Sequence, residues 1–302
     1  TLEAMKRRLI PSQDVRDLLD ASMRVVFGAE PREISYLHFL FYANAAGGLL
    51  PLIDVEGGAQ QDRFVDGAQS LPDRLAKDLG DALHLGSPVE AIEQTGALVT
   101  LRGPSGTVKA RHVIIAVPPN LAARIRFEPQ LPAPLDMLWQ RTPMGSTIKC
   151  HLLYDRKFWK EAGLSGEAVS NSDVVSVVFD NSTHQGQPAL LAFVVGDAAR
   201  RWGAQDPEQR RQAVVDTLVR MFGPQAARYT HYQDLDWSQE LWTRGCPNCA
   251  FPPGAWTTLG QASRRPVGRI HWAGTETATQ WYGFMEGALE AAERAATEVL
   301  RA

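Results

Sequence analysis

Residues 269–300, RIHWAGTETATQWYGFMEGALEAAERAATEVL, constrain the fold of this chain more than any other stretch. They open with a short apolar strand over 270–273 and turn at Gly274-Thr275-Glu276-Thr277. A loop carrying Trp281, Tyr282, Gly283 and Phe284 follows. From Met285 the period becomes helical, with Ala288, Leu289, Ala291, Ala292, Ala295, Ala296, Val299 and Leu300 on one small, apolar face. A strand, a glycine turn and a helix that enters at a second glycine, Gly287, make a cradle. Backbone N–H groups free at such a helix start favour an anionic or electron-rich partner. The pattern alone equally fits a strand–loop–helix that only closes a domain.

The bulk properties narrow the class. A chain of 302 residues allows one large domain or two smaller ones, and 44% hydrophobic with 22% charged residues is ordinary for a globular protein. The net charge of −3 gives no basic surplus for nucleic acid or an acidic membrane. Cys150, Cys246 and Cys249 make no disulfide framework, which points to a reducing, cytoplasmic setting. No apolar run reaches the ~20 residues of a membrane helix. The sequence begins at Thr1 in helix-like sequence and contains no G-x-G-x-x-G dinucleotide fingerprint.

Along the chain, residues 1–41 read as two or three helices, broken at Glu30-Pro31 and resumed after a Ser35 cap. Residues 62–79 read as a strand end, a Gly67 turn and a helix. A strand is expected over 88–92, a hairpin around Pro104-Ser105-Gly106, and a strand covered on both faces over 111–117. Residues 121–140 read as a crossover. Strands at 144–154, 174–180, 189–195 and 229–237 predict an antiparallel layer, with an amphipathic helix over 210–222. Lys149, between Ile148 and Cys150, sits either at a strand edge or buried with a reduced pKa. Cys246 and Cys249 have C-x-x-C spacing, but one further cysteine and no histidine cluster leave no zinc site, so no metal is expected.

AGTETA and WYGFMEGALEAAERAA closely resemble the C-terminal flavin-binding segment of the flavin-containing amine oxidases, the monoamine oxidase group in particular. PMGSTIKC resembles that family's segment bearing a lysine that holds a water near flavin N5, which implies a catalytic role for Lys149. RGC and FPPG match the loop with the flavin-linking cysteine, which falls on Cys246, and Trp237 falls on a tryptophan beside the flavin. The resemblance further implies FAD contacts at Val89, Gly274, Thr275, Glu276 and Met285. It places Ile53, Gln60 and Phe284 on the substrate cavity.

Two departures bear on the substrate. The family frames the amine with two aromatic rings; one position here is Pro247, and the other is Phe284, which lacks a hydroxyl. Tyr282 or Trp281 is left to supply the missing ring.

The expected fold is mixed α/β, a partial FAD-binding domain with a substrate domain of antiparallel sheet and helices. Residues 1–58 and 131–235 are assigned to the substrate domain, 59–130 and 236–302 to the FAD domain. The expected reaction is oxidative deamination of a primary or secondary amine, with dioxygen reduced to hydrogen peroxide. The alternatives are a polyamine or L-amino-acid oxidase and a non-catalytic truncated homologue. The cofactor is FAD, either covalent through Cys246 or unlinked, and a homodimer is left open. The absent fingerprint implies a fragment lacking the first part of the FAD domain. Residues 1–302 alone are therefore expected to purify without stoichiometric flavin; absorbance in the flavin bands checks this.

Overall fold

The computed structural model describes residues 1–171 and 173–302. In chain order the elements are α1 Leu2–Leu9, α2 Gln13–Phe27, α3 Tyr36–Ala45, α4 Leu50–Ile53, α5 Ser70–Leu79, β1 Ala91–Glu93, β2 Val99–Gly103, β3 Gly106–Ala110 and β4 Val113–Ile115. They continue with α6 Pro119–Ala122, β5 Arg126–Glu128, α7 Ala133–Gln140, β6 Thr147–Leu153, α8 Phe158–Glu161, β7 Ala168–Val169, β8 Val177–Asp180 and β9 Ala189–Val195. The last are α9 Asp197–Trp202, α10 Pro207–Phe222, β10 His231–Asp236, α11 Ala255–Thr258, β11 Ile270–Trp272 and α12 Met285–Arg301. This is the mixed α/β fold class expected.

The chain divides into two compact units, Thr1–Phe39 with Pro143–Pro253 and Leu40–Thr142 with Gly254–Ala302. The boundaries differ from those expected, for identifiable reasons. Residues 236–253 stay with the first unit because Trp237 N donates to Thr147 O (3.2 Å), Cys246 N to Gly145 O (2.9 Å) and Ala250 N to Pro143 O (3.2 Å). Residues 40–58 stay with the second, where Trp281 N donates to Ala45 O at 2.9 Å. Residues 133–140 form α7 there, with Trp139 edge-on to Trp272 at 5.7 Å.

The first unit is built on a five-stranded sheet in the order β10-β6-β9-β8-β7, antiparallel throughout. Strict alternation along β6 sends Ile148, Cys150 and Leu152 into the core at 0% exposure and leaves Lys149, His151 and Leu153 half-buried on the other face. The core face is closed by Trp159, Trp202 and the stripe Val214, Val215 and Leu218 of α10. Such burial, ~25 cal/mol per Å² of apolar surface, is the main stabilising term for this layer.

The second unit holds the sheet β3-β2-β1-β5 and a parallel pair, β4 with β11, in register Val113↔Ile270 to Ile115↔Trp272. Several expectations give way here. Residues 62–66 form no strand, and β5 and α7 arise in the stretch read as a plain crossover. The run 111–117 yields only Val113–Ile115 as strand. Ile114 is 42% exposed because β4 has one strand partner and one packed face. Helix α12 starts at Met285 and buries Gly287, Ala291 and Ala295, whereas Leu289, Ala292, Ala296 and Leu300 lie exposed.

His38 on α3 is fully buried, stacked on Phe251 at 5.3 Å and tilted against Phe27 at 5.7 Å. Burial holds its imidazole down at about 3, far below the ordinary 6.5. The unfolded chain takes up this proton below 6.5 and the folded chain refuses it. The stability contribution is thus complete above 6.5 and is lost as pH falls toward about 3. His38→Phe should flatten the fall of the urea midpoint across that window, measured by circular dichroism.

Candidate active site

In the first unit, three glycines let backbone touch backbone. A Cβ on Gly28 would lie 2.6 Å from the Cys246 carbonyl oxygen, and one on Gly145 would lie 2.5 Å from it and closer still to that of Phe27. A Cβ on Gly245 would overlap the Gly145 carbonyl. Ser146 N donates to Gly28 O at 2.8 Å, and Thr147 Oγ1 donates to Cys246 O at 2.9 Å. These contacts fasten the cysteine turn to the head of β6, the strand that carries Lys149.

Lys149 lies on a central strand flanked by β9 and β10, which overturns the edge reading; its side chain is half-buried rather than fully buried. Its Nζ is 5.6 Å from the centroid of Phe193 and has no carboxylate partner among the described residues. Burial pushes the Cys246 thiol above its ordinary value, and the Lys149 ammonium pulls weakly the other way. The lowered thiol expected of a ready nucleophile is absent. Cys246 and Cys249 are both free thiols, with Cys249 fully buried. The half-buried Trp237 has a buried indole N–H without a hydrogen-bond acceptor among the described residues.

In the second unit, the turn after β11 is held internally. Gly274 has φ +90, open to glycine and strained for other residues. Thr275 Oγ1 accepts from Gly283 N (2.6 Å) and donates to Phe284 O (3.0 Å), so this hydroxyl clamps the aromatic loop. Glu276 is buried at 5% exposure and lines a cavity of about 10 Å³ with Val117, Ala273 and Thr277. Arg294 of α12 donates to Trp272 O (2.7 Å) and Thr277 Oγ1 (2.9 Å), locking the helix to the turn. Sequence reading missed this arginine; a basic residue set between the alanines of a small-residue face was the available signal.

Helix α12 begins at Met285 with no side-chain cap, and a Cβ on Gly287 would overlap the Trp281 carbonyl. Gly287 thus seats the first turn of the helix rather than starting it. Phe284 meets Trp281 edge-on at 5.4 Å and Tyr42 at 6.4 Å. Tyr282 departs from its expected cavity position: at 1% exposure it is packed edge-on between Phe41 and Tyr42, both at 5.7 Å. Trp281 and Tyr42, the latter not singled out from sequence, are the rings beside Phe284. Ile53, Gln60 and Val89 are exposed, Val89 just before β1.

These residues fit a flavin dinucleotide. In the second unit the uncapped start of α12 offers N–H donors; in the first, taken by itself, Trp237 offers an unsatisfied N–H and Lys149 a cation without a carboxylate among the described residues. A flavin ring and its phosphates present carbonyl, ring-nitrogen and phosphate acceptors for such donors.

The comparisons with known proteins agree. The family model for flavin containing amine oxidoreductases matches residues 12–300. The chain is 40% identical to a probable flavin-containing monoamine oxidase A of Dictyostelium discoideum, over 96% of this chain and 64% of that protein. It is 36% identical to flavin-containing amine oxidase A of Bos taurus, over 100% of this chain and 58% of that protein. Among solved structures, cyclohexylamine oxidase of Brevibacterium oxydans IH-35A superposes with a TM-score of 0.93 at 36% identity, covering 100% of this chain and 67% of that one. Wild-type putrescine oxidase bound to putrescine gives 0.94 at 30% identity, covering 100% and 68%. The chain belongs to the flavin-containing amine oxidoreductase family. It spans about six tenths of the length of the curated relatives it matches.

Thr275→Val should weaken flavin binding by the complete protein about tenfold, the value of one or two buried hydrogen bonds, while Thr275→Ser retains it. Flavin dissociation constants from fluorescence quenching check this.

Proposed function

We propose that this chain serves an FAD-dependent oxidation of a primary or secondary amine. For a primary amine the net reaction is RCH2NH2 + O2 + H2O giving RCHO + NH3 + H2O2. FAD, when bound, accepts two electrons from the amine and passes them to dioxygen. The observation that carries the reading is the unpaired Lys149 ammonium on the half-open face of the first unit's sheet. A fixed positive charge in apolar surroundings stabilises negative charge as it develops on dioxygen during its reduction. Trp237, Cys246 and the head of β6 supply the surface beside it. In the second unit, Gly274, Thr275, Glu276 and the amides from Met285 would hold the cofactor, and Phe284 with Trp281 and Tyr42 would offer rings to the amine. Aromatic rings exclude water and favour the neutral, electron-donating amine.

The strand register limits the rival substrates. Alternation puts Thr147, Lys149, His151 and Leu153 of β6 on the half-open face, with Ala189, Leu191, Phe193 and Val195 of β9 and Val177 and Phe179 of β8. His231, Gln233 and Leu235 of β10 complete it. None is an arginine for an amino-acid carboxylate, and none is a carboxylate for the second ammonium of a polyamine.

Lys149→Met in the complete, flavin-loaded protein should slow reoxidation by dioxygen at least about tenfold while amine-driven flavin reduction changes less. Stopped-flow absorbance of the two half-reactions checks it, and equal losses in both would remove the assigned role.

A further inference from the structure

A polar cluster of His151, Asn181 and Gln233 interrupts the apolar part of that sheet face. His151 follows Lys149 by two residues on β6, so their side chains leave the same face ~7 Å apart. Asn181, just after β8, falls on the same face, and its Nδ2 lies 3.5 Å from His151 Nδ1. Their cross-strand neighbours on β8 and β9, Leu191, Phe193 and Phe179, are hydrocarbon, while Gln233 of β10 stands opposite His151. We propose that His151 and Asn181 form the specificity-determining subsite of this oxidase, selecting amines that carry a neutral oxygen, hydroxyl or ether, remote from the nitrogen. This rests on the reading above that the face bearing Lys149 meets the amine.

The packing role is poorly served by these residues. The core face of β6 is filled by Ile148, Cys150 and Leu152 at 0% exposure, and His151 contributes nothing to it. At a half-buried site flanked by leucine and phenylalanine, an apolar side chain would pack without polar atoms to satisfy. His151 Nε2 has no hydrogen-bond partner among the described residues. The Asn181 amide donating to Nδ1 leaves the ring proton on Nε2, which then donates outward.

Charge sets the chemical class. Burial, and then the nearby Lys149 ammonium, lower the His151 pKa, so the ring is neutral at pH 7. A neutral N–H donor accepts an oxygen as partner. A second ammonium on the substrate would meet Lys149 and find no carboxylate on this face.

The test uses the complete, flavin-loaded protein with 2-phenylethylamine and its 4-hydroxy analogue. Wild type should favour the hydroxylated amine about tenfold in kcat/KM, the worth of one hydrogen bond. His151→Leu should abolish that preference by raising KM for the hydroxylated amine, with its kcat and the plain amine's kcat/KM unchanged. Asn181→Ala should shift the ratio in the same direction by less. An unchanged ratio, or equal loss for both amines in flavin-loaded variants, would overturn the subsite while leaving amine oxidation standing. Failure of any amine to reduce the wild-type flavin would overturn the functional reading itself.

Discussion

The contact on which the first unit's chemistry depends is made of backbone alone. Gly28, Gly145 and Gly245 bring three separate chain segments within van der Waals distance, and the Cys246 carbonyl sits at their centre. No side chain larger than hydrogen fits at these positions without moving a peptide group. Because the cysteine turn is bonded to residues 145–147, Cys246 and Lys149 occupy one surface although 96 residues separate them. The Lys149 ammonium is felt by the Cys246 thiol, but burial outweighs it and keeps the sulfur protonated. A covalent flavin link would need the thiol proton removed at the moment of reaction.

The second unit solves a different problem, that of holding an aromatic loop and a glycine turn on a parallel pair only three residues long. Arg294 reaches from α12 to the Trp272 carbonyl and Thr277. Its neighbour Glu298 bonds Arg294 at 2.8 Å and His271 at 3.0 Å, and His271 meets His112, just before β4, at 3.3 Å. Arg264 adds bonds to the Thr277 and Ala278 carbonyls at 2.8 and 2.7 Å. Five charged or polar side chains, Arg294, Glu298, His271, His112 and Arg264, thus replace the hydrocarbon packing that so short a sheet cannot supply. Charge-assisted bonds of this kind are each stronger than neutral ones and fix direction as well as distance.

The substrate question turns on substitutions within a shared frame. Pro247 and the hydroxyl-free Phe284 stand where the resemblance to animal monoamine oxidases implies aromatic rings, and His151 with Asn181 puts polar atoms on the sheet of the first unit. Tyr282 is buried against Phe41 and Tyr42 and belongs to the core of the second unit.

Much of this was legible in the amino-acid sequence. Periodicity located α2, α10 and α12, alternation located β6, β8, β9 and β10, and the Pro104-Ser105-Gly106 signal located the β2–β3 hairpin. Local pattern is a consequence of which face is buried, so it survives in the sequence wherever one face is clearly dry. It failed where burial is set by distant segments: β5 and α7 have no strong period, and half of the apolar stripe of α12 lies exposed. Motif resemblance singled out Lys149, Cys246, Trp237 and the 274–285 turn as candidates, because those residue types follow from chemistry. Only the tertiary structure decided that Lys149 sits on a central strand, that Thr275 spends its hydroxyl on the loop, and that Tyr282 is core. Those outcomes depend on which backbone lies within 3 Å, a quantity set by chain segments far apart in sequence and carried by no local pattern.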